Sequence, residues 1–255
     1  MRHDAVTPGD RFVLAHGFTQ TARSWSGFGR LLQQHRPGAE IRAIDLPGHG
    51  DAPPPADSDL WTSADRLVAA GGHGCYVGYS MGGRVSLHAA LRHPDSVRAL
   101  VLIGATAGID DDAERADRRE ADERLADRIE SVGVEEFLDE WLRNPLFAGL
   151  SDEQAQRDDR LRNTAAGLAA SLRATGTGTQ EPLWGRLGEI TMPVLVLAGE
   201  HDSKFRAIGE RMADSIPHAT FHMIPDAGHS VHLEQPEATV DVIVGWSAVR
   251  STSRR

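Results

Sequence analysis

A serine in a glycine-rich turn is the residue of this chain best placed to do chemistry. Ser80 lies in the sequence Gly-Tyr-Ser-Met-Gly-Gly (78–83), after a short apolar run at 75–77 and before a helix-like stretch. A serine hydroxyl is a weak nucleophile and a weak base until a fold exposes it and a histidine hydrogen-bonds to it. A sharp strand-to-helix turn exposes it, and flanking glycines remove side chains that would collide there. The pattern therefore predicts a nucleophile elbow at Ser80.

Activation of Ser80 requires a histidine as base and a carboxylate that orients the histidine. After a nucleophile elbow the acid comes next in the chain and the histidine last, each beyond a late strand. Asp202 and His229 occupy such positions. Glu200, two residues before Asp202, is a competing acid, and Asp110, which follows an earlier strand-like run, is a weaker alternative. We predict the catalytic triad Ser80, Asp202 and His229.

An oxyanion hole is predicted beside the elbow from two backbone N–H groups. One belongs to Met81, the residue after the serine, and the other to Phe18, in the His-Gly-Phe loop after the first strand-like run. Main-chain donors aimed at a developing negative charge stabilise it whatever side chains they carry.

Other histidines near glycine-rich turns are assigned structural roles. His16 is expected to brace the loop after the first strand, and His49 to hydrogen-bond loop backbone in a Pro-Gly-His-Gly turn. His229 and His232 are three residues apart, as metal ligands can be, but no set of cysteines or carboxylates accompanies them. We predict no metal site.

Six apolar runs indicate the scaffold that positions these residues. They lie at 12–15, 41–44, 75–77, 99–103, 194–197 and 220–224, and each ends at a turn that contains glycine. Helix-like stretches separate most of them, and the runs lack a clean polar alternation, which is typical of a parallel sheet buried on both faces. Ligands bind beyond the carboxyl ends of such strands. The predicted fold class is α/β, with a mostly parallel sheet flanked by helices.

The segment 107–182 differs from the rest of the chain. It is rich in charged residues and alanine, reads as helix and contains no convincing strand. Several consecutive helices favour an inserted lid over a single helix on the face of the sheet. We predict an α/β core at 1–106 and 183–255 and a helical lid, or cap, at 107–182.

Composition narrows the classes of function. The chain has 255 residues, enough for one large domain with an insertion, and its net charge of −10 argues against a nucleic-acid partner. No apolar run is long enough to span a membrane. Cys75 is the single cysteine and no signal peptide is recognised, so we expect a cytoplasmic protein. We also expect a monomer. Lys204 is the only lysine among many arginines, whose planar guanidinium suits carboxylates.

Three motifs carry a narrower resemblance. The elbow with its following Arg84, the run Gly-Glu-His-Asp-Ser-Lys-Phe-Arg (199–206) and Ala-Gly-His-Ser (227–230) resemble the 2-succinyl-6-hydroxy-2,4-cyclohexadiene-1-carboxylate synthases of menaquinone biosynthesis, which have the α/β-hydrolase fold. Lid stretches at 113–119, 140–150 and 161–163 agree. The Asp-Ser-Lys-Phe piece is the most specific, because generic esterases rarely carry it after the acid.

That resemblance implies a lyase without metal or cofactor. It would eliminate pyruvate from 2-succinyl-5-enolpyruvyl-6-hydroxy-3-cyclohexene-1-carboxylate to give 2-succinyl-6-hydroxy-2,4-cyclohexadiene-1-carboxylate, with the triad as a base rather than an acyl acceptor. The implied partner is a small anionic polycarboxylate, and arginine can bind each carboxylate through two hydrogen bonds. Family positions for substrate binding fall on Tyr79, Arg84, Arg118, Trp141 and Arg162.

Several alternatives stay open at this point. A carboxylester or C–C bond hydrolase would use the same triad and form an acyl-enzyme at Ser80. A non-catalytic ligand-binding member of the fold is disfavoured, since such proteins usually lose triad residues. Arg115 or Arg119 replaces Arg118 if the register of the lid differs. The predicted arginines would otherwise be surface residues in solvated ion pairs, and Trp141 a residue of the lid core.

Overall fold

The computed structural model describes residues 11–54 and 59–252, with side chains described as far as residue 246 at the C-terminal end. The outer limits of the predicted core, residues 1 and 255, lie outside this range.

One parallel sheet forms the centre of the protein. Its strands are β1 (Arg11–Ala15), β2 (Glu40–Ile44), β3 (Gly74–Tyr79), β4 (Val97–Ile103), β5 (Val194–Gly199) and β6 (Ala219–Ile224). They lie in the order β2-β1-β3-β4-β5-β6, and every neighbouring pair is parallel. All six predicted strands are present, each near its predicted place, and the predicted α/β class is confirmed. The strand order reverses between β1 and β3, the kind of position where parallel sheets bind ligands.

Helices connect the strands and cover the sheet. They are α1 (Ser26–His35), α2 (Leu60–Gly71), α3 (Met81–Arg92), α4 (Asp112–Trp141), α5 (Asp152–Ala155), α6 (Arg157–Arg160), α7 (Ala165–Thr175), α8 (Ser203–Ser215), α9 (Val231–Glu234) and α10 (Pro236–Thr252). Short 3-10 helices span Ala22–Trp25, Pro145–Phe147 and Trp184–Glu189.

Both faces of the sheet are buried, which explains the uninterrupted apolar runs. In β1, Val13 packs in a core with α2, α3 and α8, whereas Leu14 points to the opposite core with α1 and α10. Successive side chains of a strand point to opposite faces, so the almost fully buried strands β1, β3, β4 and β5 need apolar residues at nearly every position. The edge strands β2 and β6 are partly exposed.

Residues 107–182, all of which are described, contain helices and no strand. Buried side chains of α4 and α7, among them Ile129, Phe137 and Leu168, form a small core of their own. Gly133, with φ +80°, interrupts α4 and divides it into two arms. The predicted lid boundaries at 107 and 182 remain a prediction.

Among the described residues, no helix is both long enough and apolar enough to cross a membrane.

Candidate active site

Ser80 occupies the sharp turn between β3 and α3. Its backbone has φ +49° and ψ −109°, which few non-glycine residues adopt and which a nucleophile elbow requires. Its N–H donates to the carbonyl of Ile103 at 2.8 Å and ties the turn to β4. Space also selects the glycines: a Cβ on Gly78 would lie 2.4 Å from the carbonyl oxygen of Gly82, and one on Gly82 would lie 2.1 Å from that of Ala15. The turn therefore holds Ser80 at the carboxyl end of the sheet.

A buried carboxylate–imidazole pair lies beside the elbow. Nδ1 of His229 is 2.7 Å from Oδ2 of Asp202, and both side chains are almost fully buried. Oδ1 of Asp202 accepts the N–H of Phe205 at 3.2 Å, as the N-cap of α8. With both oxygens engaged, Asp202 fixes the orientation of His229, as the acid of a triad must.

The structure separates the competing acids from His229. A side-chain oxygen of Glu200 accepts the N–H of Asp226 at 3.1 Å. Asp110 forms a 2.5 Å ion pair with Arg211 on the surface. Asp202 is therefore the acid that the fold brings to the histidine.

The other ring nitrogen of His229, Nε2, makes no hydrogen bond with any described residue although it is buried. Its ring packs against Phe205, with ring centroids 4.5 Å apart, and against the backbone at Gly104. His229 and Ser80 line the same cavity. Catalytic hydrogen bonds often tighten only when substrate binds, so an unpartnered Nε2 on a ring that lines the same cavity as Ser80 suits a catalytic base. The triad itself remains a prediction.

The cavity over Ser80 has a volume of about 410 Å³ and a strongly cationic lining. It lies between the carboxyl ends of the strands and helices of the segment 107–182. Its basic lining residues are Arg84, Arg118, Arg160 and Lys204. Apolar and aromatic side chains cover much of the remaining wall, among them Phe18, Tyr79, Trp141 and Phe205.

Two of the three predicted arginines, Arg84 and Arg118, line this cavity. Arg84 is only 7% exposed and donates from Nη1 to the carbonyl of Thr175 at 2.6 Å. Burial lowers the pKa of Arg84 to about 10, and the nearby Arg118 adds to this. Arg118 donates from Nε to the buried carboxylate of Asp122 at 2.8 Å. Arg118 therefore forms an ion pair with Asp122 within α4 and also lines the cavity.

Arg162, the third predicted arginine, does not line the cavity over Ser80. Its guanidinium pairs with the exposed carboxylate of Asp51 at 3.3 Å and is absent from the cavity lining. Arg160, two residues earlier, is 1% exposed and lines the cavity instead. The reason is local: Arg160 ends α6 with its guanidinium directed to Thr19 and Ala155, whereas Arg162 lies in the turn after α6 and reaches Asp51.

Tyr79 and Trp141 both face the cavity, as predicted positions for substrate binding. The Tyr79 hydroxyl is 2.7 Å from Oγ of Ser230. Burial raises the pKa of the Tyr79 hydroxyl. Trp141 packs against Phe18 and Phe147, with ring centroids 5.5 and 5.6 Å away. The indole N–H of Trp141 has no partner among the described residues. Trp141 is thus a packing residue that keeps a free donor.

A second cavity of about 560 Å³ adjoins the first and shares Ser80, Arg84, Arg118 and Lys204 with it. Its outer wall is acidic, with Asp110, Asp111, Glu114 and Asp117. Four basic side chains therefore line the first cavity against one carboxylate, that of Asp122, in a protein whose net charge is −10.

Comparison with known proteins identifies the fold family. The chain matches the alpha/beta hydrolase family over residues 12–242. The chain belongs to the alpha/beta hydrolase family.

Two curated relatives of this alpha/beta hydrolase carry the same enzyme name. A Salmonella paratyphi C (strain RKS4594) protein named 2-succinyl-6-hydroxy-2,4-cyclohexadiene-1-carboxylate synthase is 36% identical over 255 residues, covering 94% of this chain and 96% of that protein. A Bacillus subtilis (strain 168) protein that bears the same name provisionally is 38% identical over 243 residues, covering 88% of this chain and 85% of that protein.

Solved structures of other proteins share the fold. MenH from S. aureus matches with a TM-score of 0.88 at 31% identity, covering 97% of this alpha/beta hydrolase and 96% of that chain. A thermophilic esterase from Thermogutta terrifontis, solved with malate bound, matches with a TM-score of 0.81 at 25% identity, covering 97% and 92%. Because one fold serves proteins of different names, the reaction must be argued from the site.

The predicted oxyanion hole of this alpha/beta hydrolase lies between two elements at the switch point of the sheet. Phe18 follows β1, Met81 begins α3, and both residues line the cavity with Ser80. His16 accepts the N–H of Leu46 at Nε2, 3.0 Å away, and its Nδ1 lies 2.8 Å from the Gly17 carbonyl. The loop before Phe18 is therefore tied to the loop after β2. The oxyanion hole stays a prediction.

His232 does not join His229 in a metal site. Its ring is fully buried between aromatic side chains, 4.5 Å from Trp25 and 4.4 Å from Tyr79 between centroids. Among the described residues, a single group has metal-ligand spacing, the exposed trio Glu200, His201 and Asp226. Exposed acidic groups of this kind are common without a metal.

Sequence reasoning missed Arg160 and did not assign Lys204 a role. Lys204 carried a usable signal, because it is the only lysine of the chain and follows Asp202 by two residues. Arg160 carried none, since its neighbours at 157 and 162 are arginines too, and only the fold distinguishes them.

Proposed function

We infer that this alpha/beta hydrolase is a 2-succinyl-6-hydroxy-2,4-cyclohexadiene-1-carboxylate synthase. It is a carbon–oxygen lyase that eliminates pyruvate from 2-succinyl-5-enolpyruvyl-6-hydroxy-3-cyclohexene-1-carboxylate, a step of menaquinone biosynthesis. The observation that carries this inference is the 36–38% identity to relatives of that name over most of the chain.

The two compounds define the chemistry that the site must perform. The product has double bonds at ring positions 2 and 4, and the substrate has one at position 3. A proton must leave C2, next to the succinyl carbonyl, while the double bond shifts and the C5–O bond to the enolpyruvyl group breaks. The released enolpyruvate takes up a proton and becomes pyruvate. Negative charge develops on the succinyl carbonyl oxygen as the C2 proton leaves, so the site needs both a base and an oxyanion hole.

We assign the proton transfer to the triad. Asp202 holds His229 by its Nδ1, which leaves Nε2 to raise the basicity of the Ser80 hydroxyl that removes the proton. The backbone N–H groups of Phe18 and Met81 would stabilise the oxyanion.

The cationic lining suits the substrate's charge. The substrate carries one carboxylate on its ring, one on the succinyl arm and one on the enolpyruvyl group. Arg84, Arg118, Arg160 and Lys204 supply positive charge around Ser80. Guanidinium–carboxylate pairs are strong and directional, so they would fix the ring with C2 toward the triad. Arg160 takes the place that the sequence suggested for Arg162.

A direct assay tests the proposed function and its alternative. The purified protein, given the enolpyruvyl cyclohexene substrate, should release pyruvate as the diene product forms. Ser80→Ala should fold normally, as shown by circular dichroism, and lose at least about 1,000-fold in kcat, as expected when a triad member is removed. Release of no pyruvate, with rapid turnover of p-nitrophenyl esters, would instead support a hydrolase that forms an acyl-enzyme at Ser80. Retained pyruvate release by Ser80→Ala would remove the serine from the mechanism.

A cytoplasmic location and a monomeric state belong to this proposal. The single cysteine supports the location, because one thiol cannot form the internal disulfides typical of oxidising compartments.

A further inference from the structure

The residue after Phe18 has an unusual backbone. Thr19 has φ +68° and is fully buried. β-Branched residues rarely adopt positive φ, and such a conformation persists only where the surroundings hold it. Since Thr19 adjoins the residue proposed to supply an oxyanion-hole donor, whatever holds Thr19 also orients Phe18.

Every polar atom of Thr19 is engaged. Its N–H donates to Nε2 of His49 at 3.3 Å. Its carbonyl oxygen accepts from Nδ2 of Asn163 at 2.7 Å. Its hydroxyl bonds to Nη1 of Arg160, which also lies 3.5 Å from the Phe18 carbonyl oxygen. The peptide plane between Phe18 and Thr19 and the carbonyl beyond it are thus all held by side chains from outside the loop.

Asn163 connects three separate segments through one amide. Besides Thr19, its Nδ2 donates to the carbonyl of Arg160 at 2.8 Å, and its Oδ1 accepts the N–H of Gly50 at 2.9 Å. The side chain is only 6% exposed. It joins the loop after β1, the loop after β2 and the segment between α6 and α7. Asn163 does not line the cavity over Ser80.

We propose that Asn163 is a positioning residue that sets the oxyanion hole by holding Thr19 in its left-handed conformation. This inference rests on the proposed function, in which the Phe18 N–H stabilises the oxyanion. It makes that donor depend on residues 157–163, so the loop that carries Phe18 and Thr19 is held in place only when these residues are docked. Preorganised donors act through their position, and a small displacement weakens them.

The first test is the steady-state kinetics of Asn163→Ala in pyruvate release. We expect kcat to fall at least about ten-fold, as when an oxyanion donor is displaced rather than removed. KM should change less than about three-fold, because Arg84 and Arg118 still bind substrate. The matched control is Thr164→Ala, which removes the neighbouring bond from the N–H of Gly167 to Thr164 Oγ1 at 3.0 Å. It should lower the melting temperature while leaving kcat within about two-fold.

A double-mutant cycle separates this role from general destabilisation. Glycine adopts positive φ without strain, so Thr19→Gly needs less support from Asn163. The loss in kcat caused by Asn163→Ala should therefore shrink to less than about three-fold in the Thr19→Gly background. A folded Asn163→Ala protein with unchanged kcat would overturn the proposal, and so would an equal loss in both backgrounds.

Asn163→Asp is the variant that tests the proposal if Asn163→Ala fails to fold. It keeps the acceptor for Gly50 and, when protonated, a donor for Thr19. Its kcat relative to the unsubstituted protein should rise as the pH is lowered from about 8 to about 6, since a buried carboxyl facing carbonyls has a raised pKa. A ratio that does not change with pH would count against the proposal.

The unsubstituted protein distinguishes this proposal from the proposed function. If it releases no pyruvate, the lyase assignment fails, and the same variants are compared on p-nitrophenyl acetate, whose tetrahedral oxyanion would use the same N–H groups. The same pattern of kcat losses there would support the role of Asn163, and equal rates would overturn it.

Discussion

The guanidinium of Arg160 is buried without a carboxylate partner among the described residues. It donates from Nε to the Ala155 carbonyl at 2.7 Å, and burial lowers its pKa to about 10. A buried charge is costly unless a counter-charge is near. Asp159 is a nearby negative charge but forms no ion pair with Arg160 among the described residues, and its carboxylate bonds to Thr21 and Ser24. A substrate carboxylate in the cavity would supply a direct partner, which gives a physical reason for an anionic ligand at this position.

The contrast between Arg160 and Arg162 can be measured. Arg160→Ala should lower kcat/KM at least about 10- to 100-fold, because a charge-assisted pair contributes about 1.5–3 kcal/mol and the contact with the Thr19 hydroxyl is lost as well. Arg162→Ala should leave kcat/KM within about two-fold, because an exposed pair such as that with Asp51 contributes little. Steady-state pyruvate release gives both values. The reverse order of effects would restore the sequence-based assignment of Arg162.

The approach of α3 to β1 constrains the elbow at the level of elements. Gly82 is the second residue of α3, and a Cβ there would lie 2.1 Å from the carbonyl oxygen of Ala15. Gly27 is the second residue of α1, and a Cβ there would meet nothing within 4 Å. The same substitution at equivalent helical positions therefore has opposite expected effects.

Gly82→Ala should lower the free energy of unfolding by about 1–3 kcal/mol or more, because the main chain of β1 or α3 must move. Gly27→Ala should be neutral or stabilising by up to about 1 kcal/mol, since alanine is the better helix former. Urea unfolding followed by circular dichroism measures both. Equal stability of the two variants would show that α3 and β1 do not approach as closely as described.

Sequence patterns predicted the elements of the sheet better than those of the segment 107–182. Apolar runs with glycine exits located all six strands, because a sheet covered on both faces requires such runs. The turns after β3, β5 and β6 carry Ser80, Asp202 and His229, since parallel strands bring their ends together. The position of Arg160 could not be predicted, because its place in the cavity depends on tertiary contacts such as that with the Thr19 hydroxyl, which local sequence does not show.

Four buried histidines affect the whole molecule. Burial lowers the pKa of His16 and His88 to about 4, and that of His49 and His232 to about 3. Each therefore stays neutral in the folded protein at neutral pH. His16 and His49 must be neutral because their Nε2 atoms accept the N–H groups of Leu46 and Thr19, respectively. These contacts fix the loop around Phe18.

Stability should therefore fall as the solution is made mildly acidic. The unfolded chain binds protons at these histidines below about pH 6.5, whereas the folded protein does not until about pH 4, so the free energy of unfolding decreases over that range. Between about pH 6.5 and pH 5 each histidine costs up to about 2 kcal/mol, and the four together rival the stability of an ordinary domain. Carboxylates whose pKa is lowered in the folded protein, such as Glu130, change the free energy of unfolding mainly below about pH 4.5. The decline between about pH 6.5 and pH 5 is therefore due to the histidines.

Urea unfolding at pH 7, 6 and 5 measures this dependence on pH. His232→Phe is the informative variant, because neither ring nitrogen of His232 has a partner among the described residues and its neighbours are aromatic. It should make the decline between pH 6.5 and pH 5 shallower by up to about 2 kcal/mol, the share of one histidine. A free energy of unfolding that is constant from pH 7 to pH 5 would mean that these histidines are protonated in the folded protein, and the loop around Phe18 would then need other support.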